Sequence, residues 1–148
     1  MSFVCLKYHL VFATKGRRPV LADPLLPRLR QYIGGIIRDL GGQMLAANGM
    51  PDHLHIAAIL TQKLALMEVL KQVKAGSSVW IHDSFPERRD FDWQDGYAAF
   101  TVSQSATDAV IKYIEDQQRH HKTMSFEEEL VRLLEKHGIQ YDPRYMSV

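Results

Sequence analysis

His53 and His55 stand one residue apart at the start of an apolar run, His53 to Leu60, entered through the turn-forming Asn48-Gly49-Met50-Pro51-Asp52. Alternate residues of a strand share a face, so the two imidazoles project side by side while Leu54 and Ile56 point the other way. Two imidazoles so placed can hold one metal ion, given at least one further protein ligand and an open position for substrate. The chain has seven histidines in 148 residues, so packed or surface histidines are the alternative. A second group lies near the C-terminus. Tyr113, Gln117 and His120 fall at i, i+4 and i+7 of a helical run and form one polar-aromatic stripe. Val110, Ile111 and Ile114 supply the packing side. A helical tyrosine is commonly a half-buried packing residue; an amide one turn away and a ligand pair elsewhere raise the case for a nucleophile.

The elements that must position these groups are readable from periodicity. Phe3 to Thr14 alternates, with Val4, Leu6, Tyr8, Leu10 and Phe12 on a packed face and Cys5, Lys7, His9, Val11 and Ala13 on a more open one. Lys15-Gly16-Arg17-Arg18-Pro19 is a basic loop. Asp23 is the expected N-cap of a first helix, with Pro24 at its first position and Leu25, Leu29, Tyr32, Ile33, Ile36, Ile37 and Leu40 at helical spacing up to Gly41-Gly42. A short strand over Gln43 to Asn48 pairs with His53–Leu60. Lys63 to about His82 reads as a second helix, buried through Leu66, Leu70, Val73 and Trp80, with Lys71 and Lys74 exposed and Gly76-Ser77-Ser78 bending or ending it. A polar loop from Asp83 to Asp95 carries Arg88 and Arg89 and leads to a last strand, Tyr97 to Ser103. The third helix runs from Gln104 to about Lys122, and Ser125-Phe126-Glu127-Glu128 resembles a capping box opening a fourth, to His137-Gly138. The order βαββαβ, followed by two helices, predicts a ferredoxin-like antiparallel α+β sheet with helices on one face plus C-terminal helices. Its first and third strands are central neighbours, so Lys7, His9, His53 and His55 share the uncovered face.

Length and composition predict a single domain over residues 1–148 with an ordinary hydrophobic core. No apolar run approaches the roughly 20 residues that span a bilayer, and the N-terminus lacks the pattern of a secretory leader. One cysteine, Cys5, excludes an internal disulfide framework and a cysteine-built zinc site, and suits a reducing cytoplasm. The net charge of +1 conceals an asymmetry. Residues 1–76 hold ten Lys/Arg against four Asp/Glu, a net of +6, and residues 77–148 hold eight against thirteen, a net of −5. Lys15, Arg17, Arg18, Lys71, Lys74, Arg88 and Arg89 are the candidates for phosphate contact. The absence of a His-Glu-x-x-His helix argues against a metalloprotease.

Across nearly its whole length the chain resembles the insertion-sequence-200-like family of single-tyrosine HUH transposases, including relatives tied to repetitive extragenic palindromes. The matching residues are Tyr8-His9-Leu10-Val11-Phe12, Arg17-Arg18-Pro19, Met50-Pro51-Asp52-His53-Leu54-His55, Lys74 with Ser77-Ser78, Trp93-Gln94-Asp95-Gly96-Tyr97, Phe100-Thr101-Val102-Ser103, and Tyr113-Ile114 with Gln117 and His120-His121. Each is weak alone; their order and spacing carry the likeness. The resemblance implies Mg²⁺ or Mn²⁺ held by His53, His55 and Gln117, with Tyr113 the nucleophile and His9 and His120 on the active face. It further implies cleavage and rejoining of single-stranded DNA at hairpin-bearing ends, through a 5′-phosphotyrosine link. The family is a homodimer whose tyrosine helix can complete the partner subunit's site. Two alternatives stand beside this: a domesticated nuclease acting on host palindromes, and a ferredoxin-like binding module with an inert histidine pair.

Overall fold

Register decides which residues meet in this protein. In the computed structural model, which describes residues 1–148, Lys7–Ala13 (β1) pairs antiparallel with His53–Ile59 (β3), setting His9 opposite Ala57, Val11 opposite His55 and Ala13 opposite His53. Gln43–Met50 (β2) pairs with the other edge of β3, and Ala98–Thr101 (β4) with the other edge of β1. The sheet is antiparallel in the order β2-β3-β1-β4, so the first and third strands are the central pair, as expected. β1 starts at Lys7 rather than Phe3. Its neighbours give the reason: β3 ends opposite Lys7 and β4 opposite Tyr8, and a strand without a ladder partner is not held. Phe3 is accordingly 89% exposed.

β2 runs two residues further than its sequence suggests, so the turn into β3 shrinks to Pro51-Asp52 and Met50 faces His53 directly. Gly49 makes this close approach feasible, because a Cβ there would sit 2.1 Å from the His53 carbonyl oxygen.

Leu25–Asp39 (α1) and Leu66–Ser84 (α2) cover one face of the sheet. Leu29, Ile33 and Ile37 from α1, and Val69, Leu70, Val73 and Ile81 from α2, bury against Leu10, Phe12, Leu54 and Ile56. α1 begins one residue later than expected. Pro24 occupies the cap position, Asp23 makes no capping bond, and the Leu26 amide donates to the Ala22 carbonyl. Gly76-Ser77-Ser78 does not interrupt α2; Ser77 is buried and its hydroxyl accepts from the Trp93 indole at 3.0 Å. Trp80 is only partly buried, stacked on Tyr32.

The face expected to be uncovered is covered. After β4 the chain crosses back through Thr107–Glu115 (α3), Gln117–His120 (α4) and Phe126–Lys136 (α5). Phe126, Leu130 and Leu133 of α5 pack on Val11, Ala98 and Phe100, and Ile114 of α3 packs on Ala46 and Ala57. Lys7, His9, His53 and His55 do share this face, but the three histidines are buried and Lys7 lies at the rim, bonded to Gln104. Ser125 caps α5 as its capping-box pattern predicts, accepting from the Glu128 amide at 3.2 Å. No helix is long and apolar enough to cross a membrane.

Candidate active site: a histidine pair, a tyrosine and a buried glutamate

The expected third helix is broken at Asp116, whose φ of −91° and ψ of 17° leave the helical range. The cause is a side chain from β2. In an unbroken helix the Glu115 carbonyl would accept from the Arg119 amide; here it accepts from Asn48 Nδ2 at 3.0 Å, and the Arg119 amide turns to Asp116. Gln118 locks the break by donating to Asn48 Oδ1 and to the Gly49 carbonyl, each at 3.1 Å. The break sets Tyr113 at the end of one short helix and Gln117 at the start of the next, both over the histidine pair.

Where these residues meet, a carboxylate is waiting. Glu129, from α5, is 1% exposed. Its Oε1 lies 2.9 Å from His55 Nε2, 3.4 Å from His53 Nε2 and 2.9 Å from His121 Nε2. Its Oε2 accepts from the Gln117 amide at 3.0 Å and from the Tyr113 hydroxyl. Gln117 Oε1 faces His53 Nε2 at 3.3 Å. One oxygen of the carboxylate thus serves the imidazoles and the other the phenol. His53, His55, Gln117 and Tyr113 are brought together as the sequence suggests, all within one chain. His120 stacks on the Tyr113 ring, centroids 4.5 Å apart, and His9 sits behind His55.

Each histidine has a partner that orients it. Asp52 accepts from His53 Nδ1 at 2.7 Å, which leaves Nε2 facing the site. Arg17 holds Asp52 in turn, through Nε at 3.1 Å and Nη2 at 2.8 Å. Burial alone would raise the Asp52 carboxyl, but the bonds from His53 and Arg17 bring it down to about 2. Burial opposes a charge on His53, yet its bonds to Asp52 and Glu129 outweigh this and raise its pKa. Burial lowers His55 despite Glu129, and burial with the neighbouring His55 takes His9 down to about 3. His9 and His55 are therefore neutral, and their rings share one proton across 2.8 Å, from His9 Nε2 to His55 Nδ1. Burial would raise Glu129, but hydrogen bonds from the two histidines hold it far below the carboxylate range. Burial and the Glu129 bond push the Tyr113 phenol up.

The donor set fits a divalent cation. Nitrogen atoms of His53 and His55 and a carboxylate oxygen of Glu129 lie within 4.8 Å of one another, and the Gln117 oxygen adjoins them. The anion supplies charge compensation, and the two imidazoles lean the preference from Mg²⁺ toward Mn²⁺. The Asp52–His53 and His9–His55 contacts are the outer partners that fix ligand rings in metal sites.

Glu129 and His121 were missed as site residues. The signal for Glu129 was present: Phe126, Glu129, Leu130 and Leu133 fall at i, i+3, i+4 and i+7, so a charge occupies the buried stripe of α5. The candidate phosphate contacts fare unevenly. Arg17 is committed to Asp52. Lys15 pairs with Asp92 at 3.5 Å and Arg18 with Asp90 at 2.9 Å, both on the surface. Lys74 is half-buried, its ammonium capped by the Gln94 and Gly96 carbonyls at 2.6 Å each. Lys71 lies on α2, and Arg88 and Arg89 lie in the short turn that follows it.

Comparison with known proteins identifies the family. The family described as "Transposase IS200 like" matches residues 2–117. The ISDra2 transposase TnpA of Deinococcus radiodurans is 27% identical over 117 residues, covering 76% of this chain and 84% of the relative. The transposase for insertion sequence element IS200 of Salmonella typhimurium is 29% identical over 126 residues, covering 78% and 79%. Among solved structures, a candidate transposase from Deinococcus radiodurans superposes with a TM-score of 0.65 at 28% identity, covering 79% of this chain and 95% of that one. A REP-associated tyrosine transposase bound to a REP hairpin shares the fold, with a TM-score of 0.60 at 17% identity over 82% and 74%. The chain belongs to the IS200-like transposase family.

Proposed function

We propose that this protein cleaves and rejoins single-stranded DNA at hairpin-bearing ends, with Tyr113 as nucleophile and Mg²⁺ or Mn²⁺ held by His53, His55, Glu129 and Gln117. The observation that carries this is the shared carboxylate: Tyr113 and the histidine pair converge on Glu129 within one chain. A phenol with an ordinary pKa near ~10 attacks poorly at neutral pH and needs a base or a nearby cation. Glu129 Oε2 is placed to take the phenolic proton as the Tyr113 oxygen bonds to phosphorus. The P–O3′ bond breaks, the strand keeps its 5′-phosphate on Tyr113, and the proton returned from Glu129 completes a free 3′-hydroxyl. A bound divalent cation would polarise a non-bridging phosphate oxygen and favour the deprotonated phenol. The link conserves the phosphodiester energy, so a second 3′-hydroxyl reverses the attack and joins new strands without ATP. One nucleophilic tyrosine per chain calls for two chains at two ends, and we place the active form as a homodimer.

The test is a denaturing gel of labelled single-stranded hairpin DNA incubated with the protein. With Mn²⁺ or Mg²⁺ the label is expected in a slow protein-linked band, faster with Mn²⁺, and the band disappears with EDTA. Cleavage that persists unchanged in EDTA would count against the site.

A further inference from the structure

A cavity of about 680 Å³ opens beside the Tyr113 ring, between α3 and α5. This volume lies within the roughly 300–1,000 Å³ of small-molecule sites. Its floor is apolar, with Val110 and Leu133 among its residues, and no carboxylate lines it. Two cations stand on it, Arg132 and Lys136, and neither enters an ion pair. They follow Glu129 at i+3 and i+7, so one face of α5 carries the carboxylate of the reaction centre and then two positive charges. Lys136 lies about 10 Å further along the axis. Imidazole rings flank the space: His120, stacked on Tyr113, and His137, stacked on Phe100 with centroids 4.3 Å apart. The Nε2 atom of His120 is buried with no hydrogen-bond partner.

We propose that this cavity is a nucleotide subsite. It takes the base and sugar of one of the two nucleotides flanking the scissile phosphate, with Arg132 and Lys136 on the adjoining phosphate. The inference rests on the function proposed above, since it is the tyrosine that places a scissile phosphate at the cavity's edge. Apolar walls with aromatic and imidazole faces suit a stacked base, and unpaired cations suit a phosphodiester. The cations of the lining, Arg132 and Lys136, lie beyond the stretch that matches the family, whereas His9, Val110 and Tyr113 lie within it.

The experiment is an NMR titration of the ¹⁵N-labelled, metal-free protein with each 2′-deoxynucleoside 5′-monophosphate, and with inorganic phosphate at equal concentration. Saturable shifts are expected at Val110, His120, Arg132, Lys136 and His137 with at least one mononucleotide, and not with inorganic phosphate. The double variant Arg132→Gln/Lys136→Gln, altered only at exposed side chains, should bind at least tenfold more weakly. Val110→Trp, which projects an indole into the cavity, should weaken the shifts. No shifts at these residues, an equal response to inorganic phosphate, or a folded double variant with wild-type affinity would overturn the proposal. Adduct formation on hairpin DNA separates the two claims. Mononucleotide shifts with no Tyr113 adduct would sink the proposed function and leave the subsite; an adduct with no shifts would do the reverse.

Discussion

At the scale of single residues, the site is a set of side chains each fixed by another. Arg17 holds Asp52, Asp52 holds His53, and His9 holds His55. His55 Nε2 carries the proton bonded to Glu129, so presenting this nitrogen to a cation requires the proton to sit on Nδ1 instead, where the His9 ring nitrogen at 2.8 Å can accept it. Outer partners of this kind tune ligand basicity and orientation. Asp52→Asn is therefore expected to weaken Mn²⁺ binding by about 10–100-fold, measured calorimetrically, with cleavage recovered at high Mn²⁺. Lost cleavage with unchanged Mn²⁺ affinity would show that Asp52 acts otherwise. The candidate residues His53 and His55 were legible by the period of a strand and Tyr113 and Gln117 by that of a helix, because each pair clusters locally; Glu129, on a separate helix, was missed. Asp52 and Arg17 were visible only as a turn residue and a basic loop. Their pairing spans 35 positions, and nothing in local spacing announces it.

Elements place these residues through two devices, neither of them a matter of helix propensity. Asn48 breaks α3 from α4 by capturing the Glu115 carbonyl, and Ser125 starts α5 so that Glu129 falls on its buried face. Asn48→Ala leaves the Glu115 carbonyl and Gln118 without their partner, a loss of about 1 kcal/mol. A lower urea midpoint is expected, with slower Tyr113 adduct formation and Mn²⁺ affinity changed far less. Equal loss of both activities would mean that the break supports the whole site rather than the tyrosine. Periodicity found every strand and every long helix, but it read Gln104 to Lys122 as one helix because the interruption comes from β2, about 70 residues away. It also left the histidine face open. The amphipathic stripe of α5 shows that the helix must bury a face, not which surface it will cover.

For the whole molecule, the question is whether the groups that converge within one chain act there or in a partner's site. The family resemblance implies a tyrosine helix that can serve the partner subunit, and within a single chain Tyr113 and Gln117 also reach the histidine pair. A doubly tagged, purified heterodimer of His53→Ala/His55→Ala with Tyr113→Phe discriminates the two. Sites within one chain leave it inactive, while robust single-end cleavage would place the tyrosine in the partner's site. The charge asymmetry of the sequence does not transfer simply to the surface, since Lys15 and Arg18 of the first half are paired with Asp92 and Asp90 of the loop after α2. The central claim is that Tyr113 is the atom source for the covalent link to DNA. It is tested most directly by trapping the protein on a single-stranded hairpin substrate with Mn²⁺, digesting it, and sequencing the DNA-linked peptide by mass spectrometry. A 5′-phosphate on Tyr113 is expected in the wild-type protein, with no linked peptide in a Tyr113→Phe variant that still binds the hairpin. A linkage at Tyr97, or an adduct that survives in Tyr113→Phe, would contradict it.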